Sequence, residues 1–241
     1  MRDRLLLPIK RKFLSVIDTF IVIHRDTSGY ERYYGVPRER CEYVAFKANN
    51  IDLIGKIPET DRGYVLALGA SQRDYELLMS AVSGLDCPVK LILSRASAVA
   101  HNSRLGGGPL PANVERIEGD VDRQEWNKYI AESRLVVVPI LPDAIQPAGI
   151  SVYLEAMAFG KPVVVTRGAS TEGLLDETLA YVIPPGDSAA LRAAITQVWC
   201  DEGVRKRLSI NGRNYALSLG THERLVSDIK RVIREMCFGR S

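Results

Sequence analysis

Four cysteines and three histidines in 241 residues are little for a metal to hold. Cys41, Cys87, Cys200 and Cys237 stand far apart at no metal-ligand spacing, which argues against a zinc site and fits a reducing, cytosolic compartment. His24, His101 and His222 have no Ser, Cys or Asp at an interpretable spacing, so a hydrolase triad is not supported, and Asp26 beside His24 reads as turn chemistry. No apolar run is long enough to cross a membrane, and the first one is broken by Lys10, Arg11 and Lys12, which makes a poor signal peptide. A large charge of one sign is also missing. Net charge is +3, all of it in the first eighteen residues, and the other 223 carry 27 basic and 27 acidic groups, so no general nucleic-acid surface is implied.

What the chain does have is a sharply punctuated unit from Ala148 to Thr166, AGISVYLEAMAFGKPVVVT. Gly160 supplies a left-handed cap, Lys161 suits the negative end of the helix dipole, and Pro162 cannot continue the helix. Val163 to Val165 then read as a buried β-branched strand. Ile150, Leu154, Met157 and Ala158 form one stripe, with Glu155 beside it. A strand over Leu135 to Ile140 precedes this unit. In an open parallel sheet, ligands sit at the carboxyl ends of such strands, so the turn from Gln146 to Ser151 would aim backbone N–H groups at a phosphate there. A ribose would then reach Glu155.

LEAMAFGKPVVVT, followed by TEGLLD and VIPPGDSAAL, resembles the nucleotide-sugar half of retaining glycosyltransferases of the GT-B fold, of the group 1 or family-four type, over about residues 60 to 220. The resemblance implies an α/β fold: one Rossmann-like parallel sheet with helices on both faces, preceded by a short α/β segment from a truncated N-terminal half. Residues 1–48 would be the remnant of the acceptor-side domain, with strands at Phe20 to His24 and Cys41 to Phe46 around a short helix at Ser28 to Tyr34. The polar stretch 49–62 would be a linker and 63–241 the nucleotide-sugar domain. The rest of the acceptor half would lie before Met1, and a partner chain or a second copy could supply it.

The remaining elements follow from local signals. Tyr64 to Leu68, Val89 to Leu93, Asn113 to Ile117 and Ala180 to Ile183 read as strands. Ser71 to Asp74 reads as a capping box opening a helix to about Ser83, Asp122 caps another, and Ser94 to Pro111 reads as a loop whose GGG gives flexibility. Three helices close the chain, Ser188 to Cys200, Glu202 to Ser218 and His222 to Phe238. The first helix, with Leu5, Ile9, Phe13 and Val16 or Ile17 on one stripe, reads as packed on the sheet in preference to lying on an anionic membrane surface through residues 1–18.

The resemblance also implies a set of donor contacts. Glu155 matches the glutamate that holds the ribose. The family's earlier glutamate would fall at Pro147, which leaves Gln146 as the nearest group for a sugar hydroxyl. The backbones of Gly69 and Ser71, and of Ala148, Gly149, Ile150 and Ser151, would hold the diphosphate, with the base near the Gly119-Asp120-Val121 turn. Arg73 is either a donor-phosphate ligand or a solvated first-turn residue, and Lys161 either neutralises the leaving group or is only a helix-end charge. Ala70 stands where the family often has arginine. Ser170, Thr171 and Glu172 are crevice candidates. No metal or cofactor beyond the nucleotide sugar is implied, no catalytic side chain is assigned, and the donor base, sugar and acceptor stay open.

Overall fold

A computed structural model of the chain describes residues 2–119 and 121–239, with side chains from residue 6 onward. Asp120 of the Gly119-Asp120-Val121 turn and the Leu5 side chain of the first-helix stripe therefore lie outside the described residues. Six short strands form the principal sheet: β3 (Val65–Leu68), β4 (Val89–Ile92), β5 (Val114–Ile117), β6 (Leu135–Val138), β7 (Val163–Thr166) and β8 (Tyr181–Ile183). All pairings are parallel and the order is β5-β4-β3-β6-β7-β8. β3, β6 and β7 are buried at every residue, as strands covered on both faces must be.

Alternate residues of each strand feed two cores. On one face Leu66, Val136, Val138 and Val165 meet α5 (Arg123–Glu132) and α6 (Ile150–Ala158). On the other, Ala67, Val137 and Val164 meet α3 (Tyr75–Val82) and α7 (Ser188–Cys200). α8 (Glu202–Ser218) lies along α6, where Gly212 lets the helices approach, since a Cβ there would stand 3.1 Å from Met157 Cγ. Strand order reverses between β3 and β6, so the crevice for a ligand falls at their carboxyl ends.

Ahead of this sheet, β1 (Phe20–Val22) and β2 (Cys41–Tyr43) form a separate parallel pair around α2 (Ser28–Tyr34). α1 (Arg2–Ser15) packs chiefly along α2: Arg11 donates to the Tyr33 and Arg32 carbonyls that end α2, and Arg40 caps the end of α1 at Leu14 and Ser15. The helix does not bury its stripe on a sheet as expected. Ile9, Phe13 and Val16 stay 54%, 72% and 78% exposed, along an apolar groove of about 620 Å³. The closing helix α9 (His222–Phe238) returns toward this segment, with Arg231 in electrostatic reach of Glu42 on β2. No helix among the described residues is long and apolar enough to cross a membrane.

Two local expectations fail. The helix after β3 is capped three residues later than Ser71: Asp74 accepts from Leu77 N–H, because Gln72 turns left-handed (φ 52°) and the segment is stitched to 101–104 and to Pro139. The stretch after β4 is not all loop, since Ser94 caps α4 (Arg95–Ala100) by accepting from Ser97 N–H.

Candidate nucleotide-sugar site

β3 ends in a glycine turn at Gly69 (φ 96°), and the loop after β6 enters α6 through a second one at Gly149 (φ 91°). No other residue adopts these angles cheaply, and Gly149 is doubly constrained, since a Cβ there would sit 2.8 Å from Val138 Cγ1. Gly149 caps α6 without a side chain, so the first-turn N–H groups, including those of Ile150 and Ser151, have no intrahelical acceptor and face the crevice. Ala148 N–H is already spent on the Gln146 carbonyl at 2.7 Å.

Arg73 lies against both turns. A Cβ on Gly69 would stand 3.0 Å from its Nη2, and one on Gly149 3.6 Å from its Nη1. The strain at Gln72 and a bridge from Arg73 to Ile140 draw this residue inward, so it is not a solvated first-turn residue: it is 2% exposed. Its Nη1 donates to the Ser71 carbonyl at 2.6 Å, its Nε has no partner, and among the described residues no carboxylate pairs with it. Burial pushes its pKa down, partly opposed by Tyr75. A desolvated cation between two glycine turns and a helix N-terminus is a place for an anion.

Beyond Gly69 a cavity of about 270 Å³ is lined by Ala70, Ile92, Leu93, Ser94, Ser97, Gly119, Val121 and Trp126. It contains the expected Gly69 and Val121. Ser94, Ser97 and Trp126 carried no sequence signal for this cavity. Trp126 also reaches Glu155, its indole N–H donating to Oε2 at 3.2 Å. Glu155 is 4% exposed, and its other oxygen, Oε1, accepts from the amide of Asn50 in the segment expected to be a linker. Burial lifts the Glu155 carboxyl above the usual carboxylate range, and the hydrogen bonds from Asn50 and Trp126 and the nearby Lys47 charge pull it back.

Other expected residues fall elsewhere. Lys161 does not serve the phosphate turns. The N-terminus of α6 faces the crevice, which sends Lys161 to the opposite end of the sheet, where its Nζ donates to the Thr60 carbonyl at 3.0 Å. Gln146 is exposed on the rim of the α1 groove. Thr171 is spent on a turn with Gly168, Glu172 pairs with Arg167 at 3.6 Å on the surface, and the Ser170 hydroxyl is buried without a partner. His24 is buried edge-on to Tyr30, and burial lowers its pKa, keeping it neutral; Asp26 makes the expected turn by accepting from Ser28 N–H. Among the described residues no cluster of His, Cys, Asp and Glu is arranged to hold a metal ion.

A six-stranded parallel sheet with helices on both faces and a switch point between β3 and β6 defines a Rossmann-like half-fold. Solved structures share it. Sucrose-phosphate synthase from Thermosynechococcus elongatus superposes at a TM-score of 0.71 with 20% identity, over 97% of this chain and 62% of that one. HepE from Anabaena in complex with UDP-glucose gives 0.72 and 15%, over 96% and 67%. A glycosyltransferase from Rickettsia africae gives 0.71 and 11%, over 95% and 67%. The chain thus spans 62 to 67% of the length of these structures. No curated relative matches its sequence. The family model "Glycosyl transferases group 1" matches residues 75–201, more than half of the chain, and the chain belongs to that family.

Proposed function

We propose that the chain binds a nucleoside diphosphate sugar at the β3–β6 crevice and serves transfer of the sugar, with retention at the anomeric carbon, to an acceptor hydroxyl. The observation that carries this reading is Arg73, a buried cation set between the glycine turns at Gly69 and Gly149. In such a transfer the bond between the sugar C1 and the β-phosphate oxygen breaks and its electron pair stays on the diphosphate. The acceptor oxygen bonds to C1, and its proton passes to the departing phosphate. Arg73 and the first-turn N–H groups of α6 would stabilise the charge that develops on the leaving group. Glu155 would receive the ribose hydroxyls, and the cavity at Val121 and Trp126 the base.

A second reading has its own support: a donor-binding subunit or regulator that needs a partner chain for transfer. Pro147 stands where the resemblance expects a glutamate on the donor sugar, and the chain spans only part of the matched structures.

The test is a thermal-shift panel of UDP, GDP and ADP with their sugar conjugates, run beside Glu155→Ala. A nucleotide at about 100 times its Kd stabilises the fold by roughly 2.7 kcal/mol. A shift specific to one base and lost in the variant is expected. No shift with any nucleotide would end both readings, whereas a shift without turnover of donor by the purified chain would favour the subunit.

A further inference from the structure

Each Glu155 oxygen already accepts a hydrogen bond, and at 4% exposure the carboxylate presents little free surface to a ribose hydroxyl. Trp126 takes Oε2 from within the same domain, whereas the group on Oε1 comes from 105 residues away in sequence. That group is the Asn50 amide, on a left-handed residue (φ 55°) in the stretch joining the β1–β2 segment to the main sheet. Its orientation is fixed from both sides: Nδ2 donates to Glu155 while Oδ1 accepts from Arg123 Nε, and Arg123 Nη2 reaches Asp52 Oδ1. Ala48, buried to 1% exposure, seats the strand of chain just before it. Beside this network lies a cavity of about 600 Å³, lined by residues 47–52, Arg123 and the start of α9 at Thr221 to Glu223.

An amide N–H on a carboxylate oxygen makes the same kind of bond as a sugar hydroxyl donating to that oxygen. We propose that Asn50 is a latch on the donor site: it occupies the Glu155 oxygen in place of a ribose hydroxyl, and nucleotide binding displaces it, releasing the 47–53 segment. This rests on the reading of Glu155 as a ribose ligand. Its consequence is that donor occupancy is coupled to the segment that sets the β1–β2 unit against the nucleotide domain. Ligand affinity is reduced by the fraction of molecules in which the competent state is open. A latch closed in about nine molecules of ten therefore weakens donor binding about tenfold.

The test uses the full chain, UDP-glucose as probe, and Asn50→Gly, which suits the left-handed backbone and removes the amide. The expected result is about tenfold tighter binding in Asn50→Gly. Asn50→Ala, which also removes the amide, should likewise bind more tightly. In the wild-type chain, hydrogen exchange of residues 47–53 should rise when UDP-glucose is added, and in Asn50→Gly it should be fast with or without it. Unchanged or weaker binding in both variants, or linker exchange indifferent to nucleotide, overturns the latch. The Glu155→Gln arm separates the two ideas. If wild-type binding is weakened by Glu155→Gln and untouched by Asn50→Gly, the latch alone fails; if Glu155→Gln has no effect, the ribose assignment and the latch fail together.

Discussion

Replacing Arg73 with methionine should leave the free protein at least as stable and remove nucleotide binding, two effects of opposite sense from one substitution. The guanidinium is desolvated, and among the described residues its one hydrogen-bond partner is the Ser71 carbonyl. Exchanging a buried charge for an apolar side chain of similar volume is often neutral or stabilising by about 1–4 kcal/mol. Against this stands the loss of the Ser71 hydrogen bond. Ser71 is exposed, so water can replace the donor, and the loss is at the small end of about 0.5–1.5 kcal/mol. The balance is between zero and about 3 kcal/mol in favour of the variant, with Tm unchanged or raised by several degrees. A diphosphate, by contrast, loses one or two charge-assisted hydrogen bonds worth about 1.5–3 kcal/mol each. Affinity should then fall by about tenfold for one weak bond and by up to about ten-thousandfold for two strong ones. Calorimetric titration with the nucleotide selected by the thermal-shift panel, paired with melting of both free proteins, measures the two effects. Arg73→Lys, which keeps a point charge but not the fork, should fall between them. A variant that melts several degrees lower and still binds nucleotide would refute the argument, for Arg73 would then be a buttress of the turn at 69–75.

Two further expectations test the rest of the crevice. Gly149→Ala combines a positive φ of 91° with a Cβ 2.8 Å from Val138 Cγ1; strain and overpacking together should cost about 2–4 kcal/mol and lower Tm by roughly 5–12 °C. Gly107→Ala, in open space, should leave Tm within about 1–2 °C of wild type. Burial raises the Glu155 carboxyl above 4.5, and the ionised form is the better acceptor, so binding through it is complete above the raised pKa and lost as pH falls through it. Titration with UDP-glucose, whose phosphates have no ionisation near pH 6 of the kind a terminal phosphate shows, should therefore weaken at a pH above the ordinary carboxylate range. Glu155→Gln should flatten that dependence.

Where signals were local, the sequence predicted structure to within a residue or two. Asp122 and Asp187 cap α5 and α7 by accepting from Glu125 and Ala190 N–H, and Gly160 ends α6 with φ 66°. The three closing helices have the bounds expected of them. At 71–74 the capping box indicated a helix opening at Ser71, but tertiary hydrogen bonds with 101–104 and Pro139 move the cap to Asp74 and bring Arg73 into the crevice. The helix after Ser94 escaped notice because it is six residues long and buries only Ala98. Of the two readings of Lys161 only the leaving-group one fails, and topology alone decides it: a helix following one parallel strand and feeding the next runs antiparallel to both, so its C-terminus cannot share the crevice with its N-terminus. Asn50 and Trp126 were silent because no local pattern records a contact across 105 or 29 residues.

The two buried ionisable groups of the site are treated differently, and the chemistry of the ligand class explains why. Arg73 lies against the cap of α6, while Glu155 is six residues further along, about 9 Å along the helix axis at 1.5 Å per residue. That separation keeps the carboxylate from neutralising the guanidinium. An anionic diphosphate brings its own charge, so the cation facing it is most effective unpaired, and in the free protein that lack of pairing is a cost the binding reaction removes. A ribose brings only neutral hydroxyls. The carboxylate meant for it needs neutral hydrogen-bond donors in the free protein, and Asn50 and Trp126 are such donors. An ion pair between Arg73 and Glu155 would steady the free fold and cancel both functions. The separation of Arg73 and Glu155 along the axis of α6 therefore supports the proposed nucleotide site more than either residue alone.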